Sequence, residues 1–341
     1  MPLPINPPIK PMLAKVQEQI PRGDEWIYEP KWDGFRTLVY RDGDDVAIRS
    51  RNDRPMNRYF PEAEELLLAE LPKACVLDGE IIMPGAKGLE FDTLQLRLHP
   101  AESRAKKLAA ETPTTFVVFD ILAAGKKDLT QKPLRDRLAV LEDLFGSVRP
   151  AIAREPATQP GPRLYLTPCT DDPDVAADWF DDLEKVGLDG IIAKKLDLPY
   201  SPGERVMVKI KHRRTADCVV GGYRAHKHGG VGALLLGLYE GDELHYVGHT
   251  SSFSAAGRKE LLTMLEPLRN ERTFGGDWGP GAASRWSQGK ESEWISVEPK
   301  LVCEVSYDYV QSGYRFRHAA TFIRWRDDKA PEECLFDQVR T

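Results

Sequence analysis

Glu29-Pro30-Lys31-Trp32-Asp33-Gly34-Phe35-Arg36 sets the interpretation of everything around it. A lysine stands two residues before Asp-Gly, and a β-hairpin follows, Val39-Tyr40 and Val46–Arg49 broken by Asp42-Gly43. Lysine attacks phosphorus only as the neutral amine, so a lysine with that task needs nearby cations or desolvation. Gly34, lacking a Cβ, lets the backbone come close to a ligand. Alone, K-x-D-G says little, because Asp-Gly is ordinary turn chemistry and a lysine beside a turn is an ordinary surface residue. The strings that accompany it carry the weight.

From Glu29 to about Lys211, short β-rich runs alternate with helical stretches, the texture of an α/β or α+β domain. Helices are expected at Pro61–Leu71, at Leu134–Leu144 and at Asp174–Val186, the last acidic, amphipathic and closed by Gly187. Val76–Met83, Phe116–Leu122, Gly190–Ala193 and Val206–Ile210 read as strands, and Gly146–Pro162 as an exposed loop. After about His212 short strands recur at Cys218–Tyr223, Ala233–Tyr239, Leu244–Val247 and Val302–Val310, with Gly-rich turns between them. That spacing suggests a small barrel or sandwich, interrupted by a helix (Ala255–Leu265) and a Gly/Trp/Ser-rich connection (Phe274–Lys290). The boundary falls at 211–213, giving domains at residues 1–211 and 212–341.

A chain of 341 residues has room for two domains of ~150 residues each. With 41% apolar and 29% charged residues it has the composition of a folded globular protein, not of a disordered one. No apolar run approaches the ~18 residues of a membrane helix. The opening MPLPINPPIKPMLAK lacks a basic start followed by an apolar core, so no secretion signal is expected. Cysteines at 75, 169, 218, 303 and 334 form no C-x-x-C pair, which argues against a Cys zinc site and for reduced thiols in a cytoplasm. The net charge of −6 is an average over the surface. Locally, Pro202–Lys227 carries seven Lys/Arg against two Asp/Glu. That segment and Arg104-Ala105-Lys106-Lys107 are candidates for contacts to a nucleic-acid backbone. His226-x-His228 reads as a solvated loop, and Gly229–Gly232 lacks the Lys-Ser/Thr of a phosphate loop.

Glu29–Arg36, Ser50–Asn52, Asp78–Ile81, Phe119–Leu122, Asp189–Lys194, Lys209–Lys211 and Arg326–Lys329 occur in that order. Together they resemble the motif series of the covalent nucleotidyltransferases: ATP-dependent DNA ligases, RNA ligases and mRNA capping enzymes. By that resemblance Lys31 is the lysine joined to AMP, Glu29 reads the adenine edge and Arg36 lies near the ribose and the nick. Arg51, in S-R-N, matches the residue that holds the nick's 5′-phosphate. Glu80, at what reads as a strand end, matches the grip on a ribose hydroxyl or metal; Phe119, also at an expected strand end, matches the aromatic that stacks on adenine. Asp189 stands where the family has a glutamate, one methylene longer, and is the second expected metal ligand. Lys194, Lys209 and Lys211 match phosphate-binding lysines, the last two at alternate positions of a strand and so on one face. Met207 replaces a common aromatic residue. Arg326 and Lys329 match the C-terminal R-x-D-K that closes over the β- and γ-phosphates.

The implied fold is α+β: a nucleotidyltransferase domain of antiparallel sheets with helices, similar to ATP-grasp, then an OB-fold barrel swinging about 211–213. RNA ligases generally lack this barrel. Pro11–Ala14, Phe91–Gln95 and Gly232–Gly237 resemble the minimal bacterial ATP-dependent DNA ligases of the repair and end-joining type. That group implies ATP as AMP donor, Mg²⁺ or Mn²⁺, and nicked double-stranded DNA as the partner. A repair polymerase or end-joining proteins are candidate associates. A cytoplasmic monomer, without membrane contact and nucleoid-associated during repair, is expected. The rivals are an RNA-directed nucleotidyltransferase of the capping guanylyltransferase type, using GTP, and a non-catalytic OB-fold DNA binder. Glu29 favours ATP over the first; Lys31, Glu80, Lys209 and Lys211 together count against the second.

Overall fold

The structure is a computed structural model describing residues 3–85, 88–99, 101–145, 163–183, 187–212, 214–275, 280, 293–311 and 315–340. In chain order the first part forms β1 (Leu13–Val16), β2 (Trp26–Pro30), β3 (Phe35–Asp42), β4 (Asp45–Ser50), α1 (Pro61–Glu70) and β5 (Ala74–Ile82). Next come β6 (Pro84–Gly85), β7 (Gly88–Leu89), α2 (Phe91–Leu96), α3 (Glu102–Glu111), β8 (Thr115–Ala124), β9 (Lys127–Asp128) and α4 (Leu134–Phe145). Then follow β10 (Arg163–Leu166), α5 (Pro173–Leu183), β11 (Ile191–Lys195) and β12 (Arg205–Ile210). The remainder forms β13 (Arg214–Ala225), β14 (Val231–Glu240), β15 (Glu243–Ser251), α6 (Ala255–Leu265), β16 (Ile295–Tyr307), β17 (Val310–Gln311), β18 (Arg315–Phe316) and β19 (Thr321–Trp325). Two compact units divide the chain, Met1–His212 and Arg213–Thr341.

Among the described residues the first unit holds two large sheets, ordered β1-β12-β11-β2 and β10-β8-β5-β3-β4 with β9 on β8, and the two-stranded pair β6-β7. Strands β3, β5 and β8 are apolar on both faces, as centrally placed strands must be when both faces are covered. Val39, Leu77, Ile81 and Ile121 pack with α1, α2 and α4; Leu38, Tyr40, Val76 and Leu122 pack instead against Met12, Tyr200 and Met207. The two large sheets are antiparallel except at one edge each, where β1 runs parallel to β12 and β10 to β8.

Two expected strand ends lie inside strands. Asp78-Gly79-Glu80-Ile81 continues through β5, which is laddered to β3 on one side and β8 on the other. Its Asp-Gly makes a register shift, not a turn. A Cβ on Gly79 would stand 2.4 Å from the Val117 carbonyl oxygen, so glycine lets the neighbouring strand and the Phe116 ring close in. Phe119-Asp120 is likewise interior to β8. Asp120 takes a bidentate pair from Arg137, at 2.7 and 2.9 Å, with both side chains buried.

Helix α3 is an element that the sequence reading left unassigned. It turns Ala105 inward and pairs Lys106 with Glu102 and Lys107 with Glu111 on its exposed side. The acidic helix α5 runs to Leu183; its expected last turn, the 146–162 loop and most of the 274–290 connection lie outside the described residues.

In the second unit the sheet order is β15-β14-β13-β16-β19. Its edges meet where the Ala320 amide donates to the His249 carbonyl at 2.9 Å, so the sheet curls as a small barrel does. Helix α6 is capped by Ser254, whose hydroxyl accepts from the Gly257 amide.

Candidate active site

Strand β2 delivers Glu29 and, one residue past its end, Lys31. Its antiparallel pairing with β11 continues beyond the ladder: the Lys31 amide donates to the Gly190 carbonyl at 2.8 Å, and the Asp189 amide to the Lys31 carbonyl at 3.2 Å. Gly190 makes this possible. Its φ is +129°, and a Cβ there would sit 2.0 Å from the Ile210 carbonyl oxygen. Gly34 is equally constrained, since its Cβ would meet the Ile81 carbonyl oxygen at 2.2 Å.

The Lys31 ammonium pairs with Asp189 Oδ2 at 2.6 Å, and Lys211, just beyond β12, reaches the same oxygen at 2.5 Å. Burial opposes ionisation of Asp189, but the two ammonium groups prevail and hold its carboxyl below the usual range. Lys209, two residues before Lys211, is pushed downward by burial, then by Lys211 and Lys31.

Above this triad opens a cavity lined by Glu29, Lys31, Arg36, Arg51, Glu80, Phe119, Lys194 and Lys209. On its floor Lys194 donates to Glu29 Oε1 at 2.7 Å, with both side chains almost wholly buried. Burial pushes the Glu29 carboxyl up and Lys194 pulls it back. Phe119 lies beneath two cations, the Arg36 guanidinium 4.4 Å and the Lys194 ammonium 4.8 Å from its ring centre. Met207 lines the cavity and is 2% exposed.

Arg36 is held by Asp78 through two bonds of 2.6 Å, and the Tyr200 hydroxyl donates to Asp78 Oδ2 at 2.6 Å. Neither Asp78 nor Tyr200 was given a role from the sequence: Asp78 opens a string read as ending a strand, and Tyr200 has no motif. Trp32 was missed as well; it lines the cavity, its indole N–H bonded to the Thr167 hydroxyl at 2.9 Å. Arg51 is exposed at the mouth, its amide donating to the Arg36 carbonyl at 3.0 Å.

Glu80, paired in register with Arg36, has its carboxyl pushed up to about 7 by burial, against the pull of Arg36 and Lys31. A carboxylate with that burial gains from a hard cation, and Mg²⁺ is commonly held by one or two such groups, so Glu80 fits a metal ligand. Asp189 is the weaker fit, because its Oδ2 is already shared by Lys31 and Lys211. Among the described residues, no three His, Cys, Asp or Glu are gathered to hold an ion.

In the second unit, Arg326 and Lys329 both bond to Asp217 of β13, which the sequence reading did not single out.

Two family descriptions match the chain: "ATP dependent DNA ligase domain" over residues 11–211 and "ATP dependent DNA ligase C terminal region" over residues 227–329. DNA ligase C1 of Mycolicibacterium smegmatis is 46% identical over 100% of this chain and 96% of its own length. The multifunctional non-homologous end joining protein LigD of Mycobacterium bovis is 29% identical over 92% of this chain, a match to 38% of its own length. A solved Lig E DNA ligase, described as binding DNA with a minimal scaffold, is similar in fold, with a TM-score of 0.57 and 19% identity over 93% of this chain and 99% of that one. No helix among the described residues is long and apolar enough to cross a membrane.

Proposed function

The chain belongs to the ATP-dependent DNA ligase family, and on that premise we propose how its residues seal a 5′-phosphate/3′-hydroxyl nick in duplex DNA. It is an ATP-dependent DNA ligase, a nucleotidyltransferase domain followed by an OB-fold. We assign residues 1–211 to adenylation and 212–341 to the OB-fold. The observation that carries the site is the convergence of Lys31, Glu29, Arg36, Glu80, Phe119 and four further cations, Arg51, Lys194, Arg205 and Lys209, on one cavity.

In the first step the neutral Lys31 amine attacks the ATP α-phosphorus. A P–N bond forms, the α–β P–O bond breaks, pyrophosphate leaves, and the amine's proton is lost to solvent. AMP then passes to the nick's 5′-phosphate, and the 3′-hydroxyl finally displaces it. Each step loads negative charge on phosphoryl oxygens, so catalysis is positioning and electrostatics. Lys194, Lys209 and Lys211 supply fixed positive charge; Arg36 and Phe119 hold the nucleoside, with Glu29 at the base edge. Arg51 at the mouth takes the 5′-phosphate, and the Arg326–Lys329 string serves the β- and γ-phosphates. A bound Mg²⁺ or Mn²⁺, held by Glu80 and joined by Asp189, would neutralise phosphate charge.

Nicked duplex DNA is the proposed partner of a monomer acting in the cytoplasm, near the nucleoid during repair. The likeness to an end-joining ligase supports end-joining proteins as associates. The test is sealing of a 5′-phosphorylated nick with ATP and Mg²⁺ or Mn²⁺. Product is expected from wild type and none from Lys31→Ala. Absence of product from folded wild-type protein with both metals would overturn the reading.

A further inference from the structure

The R-x-D-K string of the second unit does not offer two equivalent cations. Arg326 spends Nη1 on both oxygens of Asp217, at 2.8 and 2.9 Å, and Nε and Nη2 on Asp328, at 2.8 and 2.9 Å. Its guanidinium is therefore engaged on carboxylates at each of its nitrogens. Lys329 spends one bond, 2.8 Å, on Asp217 Oδ2, and an ammonium has three donors. Asp217 is itself held from both backbone sides: its amide donates to Gln338 Oε1 at 2.9 Å, and Gln338 Nε2 donates to its carbonyl at 3.2 Å. The Asp217 side chain is 12% exposed, whereas Asp328 is 64% exposed and its charge is screened by water. Inside this shielded group one carboxylate faces two cations, which leaves positive charge uncompensated at Lys329.

We propose that Asp217 is the positioning residue of the Arg326–Lys329 string, gathering both cations on one carboxylate so that Arg326 is a strut and Lys329 is the group presented to the pyrophosphate portion of ATP. The inference rests on the ligase reading above and deepens it. Asp217 touches no substrate; it acts through Lys329. Its influence is confined to steps that contain pyrophosphate, namely formation of lysyl-AMP and its reversal. In the reversal a pyrophosphate oxygen attacks the AMP phosphorus, the P–N bond breaks, and the Lys31 amine and ATP are regenerated.

The test uses the full chain. Wild type, Asp217→Asn, Lys329→Ala and the double variant are compared in ATP-dependent adenylation, in discharge of preformed lysyl-AMP by added pyrophosphate, and in sealing of a pre-adenylated nick. Asp217→Asn is expected to raise the ATP and pyrophosphate concentrations giving half-maximal rates by about tenfold, the scale of losing a charge-assisted bond. Sealing of the pre-adenylated nick is expected to stay within about twofold of wild type, and the double variant to be no worse than Lys329→Ala. Gln338→Ala, which loosens Asp217 without removing its charge, is expected to shift the same concentrations in the same direction by less. It carries the test should Asp217→Asn fail to fold.

Unchanged pyrophosphate dependence in the Asp217→Asn variant would overturn the proposal, as would faster adenylation, equal loss in all three assays, or additive losses in the double variant. Failure of the ligase reading looks different, because wild type itself would form no lysyl-AMP.

Discussion

Replacing Asp78 by Asn probes the device that holds Arg36 over Phe119. Asp78 has no exposed surface and accepts two bonds of 2.6 Å from Arg36 and one of 2.6 Å from Tyr200. Removing one partner of a buried, hydrogen-bonded ion pair costs about 3–5 kcal/mol. Arg36 keeps 21% of its side chain in solvent, so water recovers part of the guanidinium's hydration and the expected cost is near the low end, about 3 kcal/mol. For a unit of this size that is about 6–12 °C in Tm. Scanning calorimetry is the assay, because the second unit supplies an internal reference that is expected not to move. Adding Arg36→Gln to Asp78→Asn is expected to cost about 2 kcal/mol less than the sum of the single changes. A loss below about 1 kcal/mol for Asp78→Asn, or additive losses in the double variant, would refute the claim that the pair is a coupled buried clamp.

Other expectations follow from the same geometry. The Glu80 carboxyl, raised from its ordinary 4.5 to about 7, binds a proton more tightly in the folded than in the unfolded chain. Metal-free stability therefore falls as pH rises between those values, by at most about 3 kcal/mol. Denaturation midpoints across that window should show the slope, and Glu80→Gln should flatten it; an unchanged slope contradicts the assignment. Gly34→Ala pushes a methyl to 2.2 Å from the Ile81 carbonyl oxygen, so it should cost about 1–3 kcal/mol and slow lysyl-AMP formation. Adenylation at the wild-type rate would show that the loop yields freely. Affinity for a nicked duplex, measured by titration over a salt series, should fall steeply as salt rises if cations contact the DNA backbone; a flat response counts against it.

Much of this was legible before the structure. The hairpin at Asp42-Gly43 follows from turn chemistry between β-branched runs, and α4 from apolar spacing, because both are local signals. The cavity residues Glu29, Lys31 and Lys194 were legible only as an ordered series of strings, since each string is mundane alone. The strand over β5 was legible, but the register shift at its Asp-Gly was not, because the flanking strands β3 and β8 set it and their pairing is nonlocal. Asp78, Tyr200 and Asp217 were invisible for a related reason. Each acts through a partner far along the chain, 42 residues from Asp78 to Arg36 and 109 from Asp217 to Arg326, and no local pattern marks such a pairing. Helix α3 escaped because its face toward the core is made of alanines, Ala105 and Ala109, which carry little apolar contrast.

The central claim is that Lys31 is the nucleophile. It is tested most directly by incubating the protein with ATP and divalent metal, digesting it under conditions that preserve the acid-labile P–N bond, and mapping the AMP adduct by mass spectrometry. The expected result is adenylate on Lys31 in wild type and on no residue in Lys31→Ala. An adduct on Lys194, Lys209 or Lys211, or one that survives Lys31→Ala, would contradict the account.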